Sequence, residues 1–157
     1  MKHFILPLFL ALTLILAACA PSQASANQSQ PPSSLGSGGN SSVSLTRSDG
    51  QGAVTVDVTP LNLGNPSDKL EFDVAMNTHS VNLSMNLATL ATLTTDTGIT
   101  VQADSWNGPA GGGHHVDGQL TFPAIKDSKS ILEGASKITL TIINLDAPSR
   151  VFVWQLK

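Results

Sequence analysis

The sequence predicts an all-β domain over residues 49–157, built as a two-sheet antiparallel sandwich of immunoglobulin-like type with about seven or eight strands. A small β-barrel is the alternative. Three observations lead there. Apolar and polar residues alternate at period two through most of this region, the mark of half-buried strands. Turn residues break the alternation at short, regular intervals, and apolar spacing of helical period is scarce.

Taken in order, Val54, Val56 and Val58 alternate with Thr55, Asp57 and Thr59, and Pro60 closes this strand because it has no N–H to give a ladder. Gly64-Asn65-Pro66 marks a loop. Leu70, Phe72, Val74 and Met76 then alternate with Lys69, Glu71, Asp73 and Ala75 in the clearest strand of the chain, and Val81, Leu83, Met85 and Leu87 continue the pattern in the next. The inward positions pass from even to odd numbers between Met76 and Val81, so a bulge or bend is expected at 77–80, where His79 sits. Further strands are expected at 90–94, 99–103, 116–122, 137–144 and 151–156, with one short helical turn at 129–134.

The chain ahead of this domain has a different character. Lys2 and His3 precede an apolar run from Phe4 to Ala17, about 14 residues, inside the roughly 7–15 of a signal h-region. A transmembrane helix needs about 20. Leu16-Ala17-Ala18-Cys19 closes the run, and Cys19 is the single cysteine, with no disulfide partner in the chain. This pattern resembles the bacterial lipobox. The resemblance implies that residues 1–18 are a lipoprotein signal peptide and that the mature chain starts at Cys19, the site of lipidation. Several acyl chains on one residue, palmitate among them, anchor stably to a membrane where one chain binds marginally. It also implies a place in the cell envelope, facing outward from the cytoplasm, with Ala20 after the cysteine favouring the outer membrane where there are two. The competing interpretation is an ordinary cleaved signal with a cysteine near its cut site.

Residues 19–48 are rich in Ser, Gln, Asn, Pro and Gly, with almost no large apolar side chain. Such a segment cannot bury enough apolar surface to offset its ordering entropy, and it is expected to serve as a flexible tether reaching about 30 Å. The remaining residues are one domain's worth.

Removal of Lys2 with the signal makes the formal net charge of −3 more negative by one, and no basic cluster occurs anywhere. Nucleic acid and anionic headgroups both need concentrated Lys and Arg and are therefore unexpected ligands. There is no tyrosine, no glycine-rich loop set between a strand and a helix, and no serine in a Gly-x-Ser-x-Gly elbow. Nucleophilic catalysis finds no support.

Three histidines follow the signal: His79, His114 and His115. The last two adjoin the loop Trp106-Asn107-Gly108-Pro109-Ala110-Gly111-Gly112-Gly113. Three imidazoles can hold copper or zinc with one position open, provided the glycines turn the chain so that adjacent side chains converge. Asp104 and Asp117 would supply an oxygen or orient an imidazole, and Trp106 would wall the site. Met76 and Met85 add thioethers, yet both fall on the apolar phase, which favours core packing. The alternative makes His79 a hydrogen-bond donor at the bend and packs His114 and His115 on Trp106 to pin the loop.

Asn77-Thr78-His79-Ser80-Val81, Trp106-Asn107-Gly108, Gly112-Gly113-His114-His115-Val116 with Gly118, Leu120 and Phe122, and Arg150-Val151-Phe152 with Trp154 together resemble a group of secreted bacterial domains, often lipoproteins, without an assigned activity. The resemblance covers about residues 52–156. It implies an extracytoplasmic β-sandwich and no particular reaction. Where an aspartate is expected after the first histidine or after the tryptophan, this chain has Asn82 and Asn107. Envelope copper carriers differ in placing His and Met in closely spaced motifs on one edge.

The function expected from these observations is a noncatalytic, membrane-tethered binding or interaction module with an envelope protein as partner. Ile143, Val151 and Val153 are its candidate exposed apolar patch. A copper- or zinc-binding lipoprotein using His79, His114 and His115 is the alternative. An enzyme would need metal-bound water with a carboxylate beside it.

Overall fold

The computed structural model describes residues 45–156. The signal segment 1–18, Cys19 and the tether up to residue 44 lie outside the described residues. Alternating burial drives the chain into two antiparallel sheets, because each strand has one apolar side that only a second sheet can cover. The first sheet runs β1 (Arg47–Asp49), β2 (Val54–Pro60), β3 (Lys69–Thr78), β7 (His115–Pro123), β6 (Ser105–Trp106). The second runs β11 (Ser149–Gln155), β10 (Lys137–Ile143), β4 (Ala91–Thr95), β5 (Thr100–Gln102). A separate hairpin pairs β8 (Ile125–Lys126) with β9 (Lys129–Ser130). The result is a sandwich of immunoglobulin-like type, open at its edges and not closed into a barrel. Among the described residues no helix is long and apolar enough to cross a membrane.

Even-numbered residues of β2, β3, β7, β10 and β11 face inward, joined by odd-numbered residues of β4 and β5. Phe72 sits at the centre, edge-on to Phe122 at 5.6 Å and tilted against Trp154 of the opposite sheet at 5.4 Å between centroids. Met76 is fully buried and Met85 half-buried against the core, as their phase predicts.

Residues 81–87 do not form the expected strand. β3 ends at Thr78, whose hydroxyl donates to the Ala53 carbonyl at 2.8 Å and accepts from the N–H groups of Ser80 and Val81. That side chain turns the chain out of the ladder, which puts the expected bend at His79 and Ser80. Beyond it the chain is laid across the core with Leu83 buried and tied to the Gly113 carbonyl at 3.0 Å, then closes in a single 3₁₀ turn at Leu87–Thr89 capped by the Asn86 side chain. Burial alternates there without a ladder partner, so period two alone misled. Residues 129–134 are likewise a strand pair and turn, not a helical turn. The hairpin reverses at Asp127 and Ser128, both left-handed at φ of 52° and 63°.

The domain also begins earlier than residue 49. Residues 45–48, assigned to the tether by composition, belong to the fold: β1 pairs with β2 from Arg47↔Val58 to Asp49↔Val56. Three side-chain bonds tie it to β11: Trp154 Nε1–H to the Leu45 carbonyl at 2.6 Å, Arg47 Nε–H to the Val153 carbonyl at 3.1 Å, and Arg150 to Asp49.

Candidate functional site

The predicted residues gather at one end of the first sheet. Register places His115 beside Asn77 across β3 and β7, on the outer face, and the His115 ring nitrogen Nδ1 is hydrogen-bonded with the Asn77 amide oxygen Oδ1 at 2.6 Å. His114 precedes β7 at a bend and is exposed, and its carbonyl accepts the Thr78 N–H at 2.9 Å. His79 is exposed just past the end of β3. Strand pairing therefore brings the three backbones together. It does not bring the three imidazoles to one point: among the described residues no group of three or more His, Cys, Asp or Glu is placed to hold a metal ion. The expected copper or zinc set of His79, His114 and His115 is not assembled, because His115 is engaged by Asn77 while His79 lies beyond the strand end.

The loop before His114 has its own architecture. Trp106 is half-buried, and its ring lies along Gly108 and over Gly118 of β7. A Cβ on Gly118 would stand 2.7 Å from both Gly108 Cα and the Trp106 ring. Only glycine permits this approach. Asn107 completes it, its side chain accepting the Gln119 N–H at 2.5 Å while its own N–H donates to the Gln119 carbonyl at 3.1 Å. At Gly112, φ of 69° places the backbone against the Asn82 side chain. The tryptophan ring thus lies against glycine backbone, and Asn107 ties the loop beside it to β7. Asp104 is exposed, with its N–H donating to the Thr121 carbonyl at 2.8 Å.

Asp117 is two residues from His115 and shares its face. Register sets Asp57, Ala75 and Asp117 in one row across β2, β3 and β7, and Thr59, Asp73 and Gln119 in the next. Small Ala75 leaves a low floor between the carboxylates, and an open depression of about 520 Å³ results. Anions are repelled here, in keeping with the missing basic cluster. The sequence signal for this cluster is the run of acidic residues, Asp57, Asp73 and Asp117, at the outward phase of adjacent strands.

The outer face of the second sheet is chemically opposite. Its central rows read Val151, Thr141, Thr92, Gln102 and Val153, Thr139, Thr94, Thr100, with no charged side chain in either. Val151 is 53% exposed, Val153 37%, and Ile143 at the end of β10 44%. The Thr94 and Thr100 hydroxyls bond to each other at 3.0 Å. β-Branched residues suit such a pleated surface, and the valines leave it partly apolar.

No family model matches the sequence, and no curated protein matches it. Among solved structures, the chain is similar to the crystal structure of a DUF4426 family protein from Pseudomonas aeruginosa PAO1, with a TM-score of 0.41 and 10% identity. The overlap covers 70% of this chain and 94% of that one.

Proposed function

We propose that this chain is a membrane-anchored extracytoplasmic lipoprotein whose β-sandwich is a noncatalytic binding module. The anchor rests on the lipobox resemblance at Cys19, preceded by a signal-like apolar run and followed by a tether composition. The observation that carries the binding role is the central stretch of the outer face of β10 and β11, where Val151, Val153 and Ile143 stay exposed beside threonine rows without a charged side chain, Lys137 lying at the end of β10. Desolvating that central stretch costs little because its rows hold no charge, and apolar side chains that water already surrounds gain by being covered. The acidic depression on the opposite sheet resists anionic surfaces, which leaves the valine and threonine stretch as the one suited to a protein partner in the envelope.

The test places a photo-crosslinking residue at Thr141 in the full chain, with Cys19 intact and with Cys19→Ser, in cells that express it natively. The expected result is membrane fractionation that depends on Cys19 and a discrete crosslinked envelope protein lost in Val151→Asp, Val153→Asp. Membrane association unchanged by Cys19→Ser would overturn the anchor. Crosslinks indifferent to the double variant would overturn the face.

A further inference from the structure

The exposed large apolar side chains of the described residues fall into two groups. Ile143, Val151 and Val153 belong to β10 and β11, whereas Leu45, Leu61 and Ile125, 46%, 45% and 48% exposed, stand at one end of the sandwich. Antiparallel pairing gathers at that end the first described residues, the loop between β2 and β3, the β8–β9 hairpin, the turn before β10 and the last residues after β11. Backbone bonds join these pieces: Ala124 N–H to the Asp68 carbonyl at 2.9 Å, Ile131 N–H to the Ala124 carbonyl at 2.9 Å, and Leu156 N–H to the Ser136 carbonyl at 2.7 Å. An apolar groove of about 510 Å³ opens there, lined by Leu45, Leu63, Leu132, Trp154 and Leu156 among others.

We propose that this end is the surface by which the domain rests on a phospholipid bilayer, with Leu61 and Ile125 entering the interface and the groove receiving acyl chain. This extends the anchoring reading above to the side that the domain turns toward its membrane. Three observations meet here. The chain enters the fold at this end, where the Trp154 indole N–H holds the Leu45 carbonyl at 2.6 Å. A tether expected to reach about 30 Å, roughly the width of a small domain, draws the end it joins toward the anchor. Charge selects the same end. Lys69, Lys126, Lys129 and Lys137, scattered in the sequence and therefore no basic cluster there, are all exposed in its loops and strand ends, against the carboxylates of Asp68, Asp96, Asp127 and Glu133. The other described residues hold seven carboxylates and two arginines, so this neutral end is the one an anionic bilayer repels least. Finally, the hairpin belongs to neither main sheet and sets Ile125 between exposed lysines, reversing at Asp127 and Ser128. Lysine stems lie along apolar surface while their ammonium groups stay among headgroups, which suits an isoleucine inserted only to interface depth.

The experiment uses the mature-length chain with Cys19→Ser, held by an N-terminal histidine tag on vesicles of phosphatidylethanolamine and phosphatidylglycerol that carry a nickel-chelating lipid. The tag supplies the attachment, so this test can fail while lipidation at Cys19 stands, and the reverse. A polarity-sensitive fluorophore is placed by Ser67→Cys or Ser130→Cys at the proposed end, and by Ser84→Cys or Ala110→Cys at the opposite one. Labels at 67 and 130 are expected to brighten several-fold on the vesicles and to be quenched by spin-labelled lipid, and those at 84 and 110 to stay as in water. Leu61→Asp, Ile125→Asp should abolish the brightening without changing the unfolding transition. Lys126→Gln, Lys129→Gln should lower it on these vesicles and leave it unchanged on phosphatidylcholine alone. Four labels that respond alike, or a response at 84 and 110 only, would overturn the proposal. So would brightening at 67 and 130 that needs no vesicles and rises with protein concentration, which would make the occupant a second copy.

Discussion

Arg150 donates from Nη1 to Asp49 Oδ1 at 2.6 Å, and the arginine has no solvent exposure. Its remaining donors go to backbone: Nε to the Leu145 carbonyl at 2.9 Å, Nη1 to that of Asp49 at 3.1 Å, and Nη2 to that of Gln51 at 2.6 Å. One side chain thus holds the start of the fold, the turn before β2 and the turn before β11. A planar fork with five N–H donors suits this task, whereas lysine would offer a single point.

Arg150→Ala is expected to cost about 3–5 kcal/mol, because it takes from the Asp49 carboxylate its charged partner and from three carbonyls their arginine donor. Urea unfolding measures it. Arg150→Lys should recover only part of the loss, since an ammonium cannot reach all the acceptors at once.

Gly118→Val should destabilise by about 1–3 kcal/mol through overpacking, since its first added carbon meets the Gly108 backbone. Gly64→Ala, where a Cβ meets nothing within 4 Å, serves as the control and should stay within about 0.5 kcal/mol of the parent. Thermal unfolding of the two separates close approach from the general cost of replacing glycine.

The Ser136 hydroxyl, with the N–H groups of Lys137 and Ser136 behind it, holds the Asp96 carboxyl below its ordinary value of 3.8. A depressed carboxylate adds stability above its unfolded value and loses it as the pH falls through the folded one. Asp96→Asn should therefore be less stable than the parent at neutral pH, and the gap should narrow on acidification below about pH 4. Urea midpoints across that range would show it; a gap independent of pH would contradict it.

Trp154→Phe keeps a ring against Phe72 but removes the donor to the Leu45 carbonyl. A loss of about 1 kcal/mol is expected. Amide exchange at residues 45–49 should quicken more than exchange in β3, because the bond secures the first strand and not the core.

Much of the fold was legible because burial alternates with sequence parity: Leu70, Phe72, Val74 and Met76 are all buried, as their phase requires. The phase change after Met76 located the bend correctly. What parity cannot report is whether an extended segment has a ladder partner, and residues 81–87 show the difference. β1 was hidden because Arg47 and Asp49 face inward as a bonded pair set instead of as apolar residues. At the candidate site, the sequence singled out His79 and His114-His115, which the β3–β7 pairing sets at one end of a sheet, but the His115 ring is bonded with Asn77, a partner 38 positions away. The glycines beside Trp106 proved to matter for close backbone approach and not for turning imidazoles inward.

The edges of the two sheets carry one more consequence. β5 and β6 are three and two residues long, and the seven-residue edge of β11 is flanked by β1, with Arg47 occupying the Val153 carbonyl. Unpaired strand edges template polymerisation, and the hazard grows where many copies share a confined surface. By keeping β1, β5 and β6 too short to seed a new strand and setting β1 beside the longer β11, the domain can be crowded without joining its neighbours into continuous sheet.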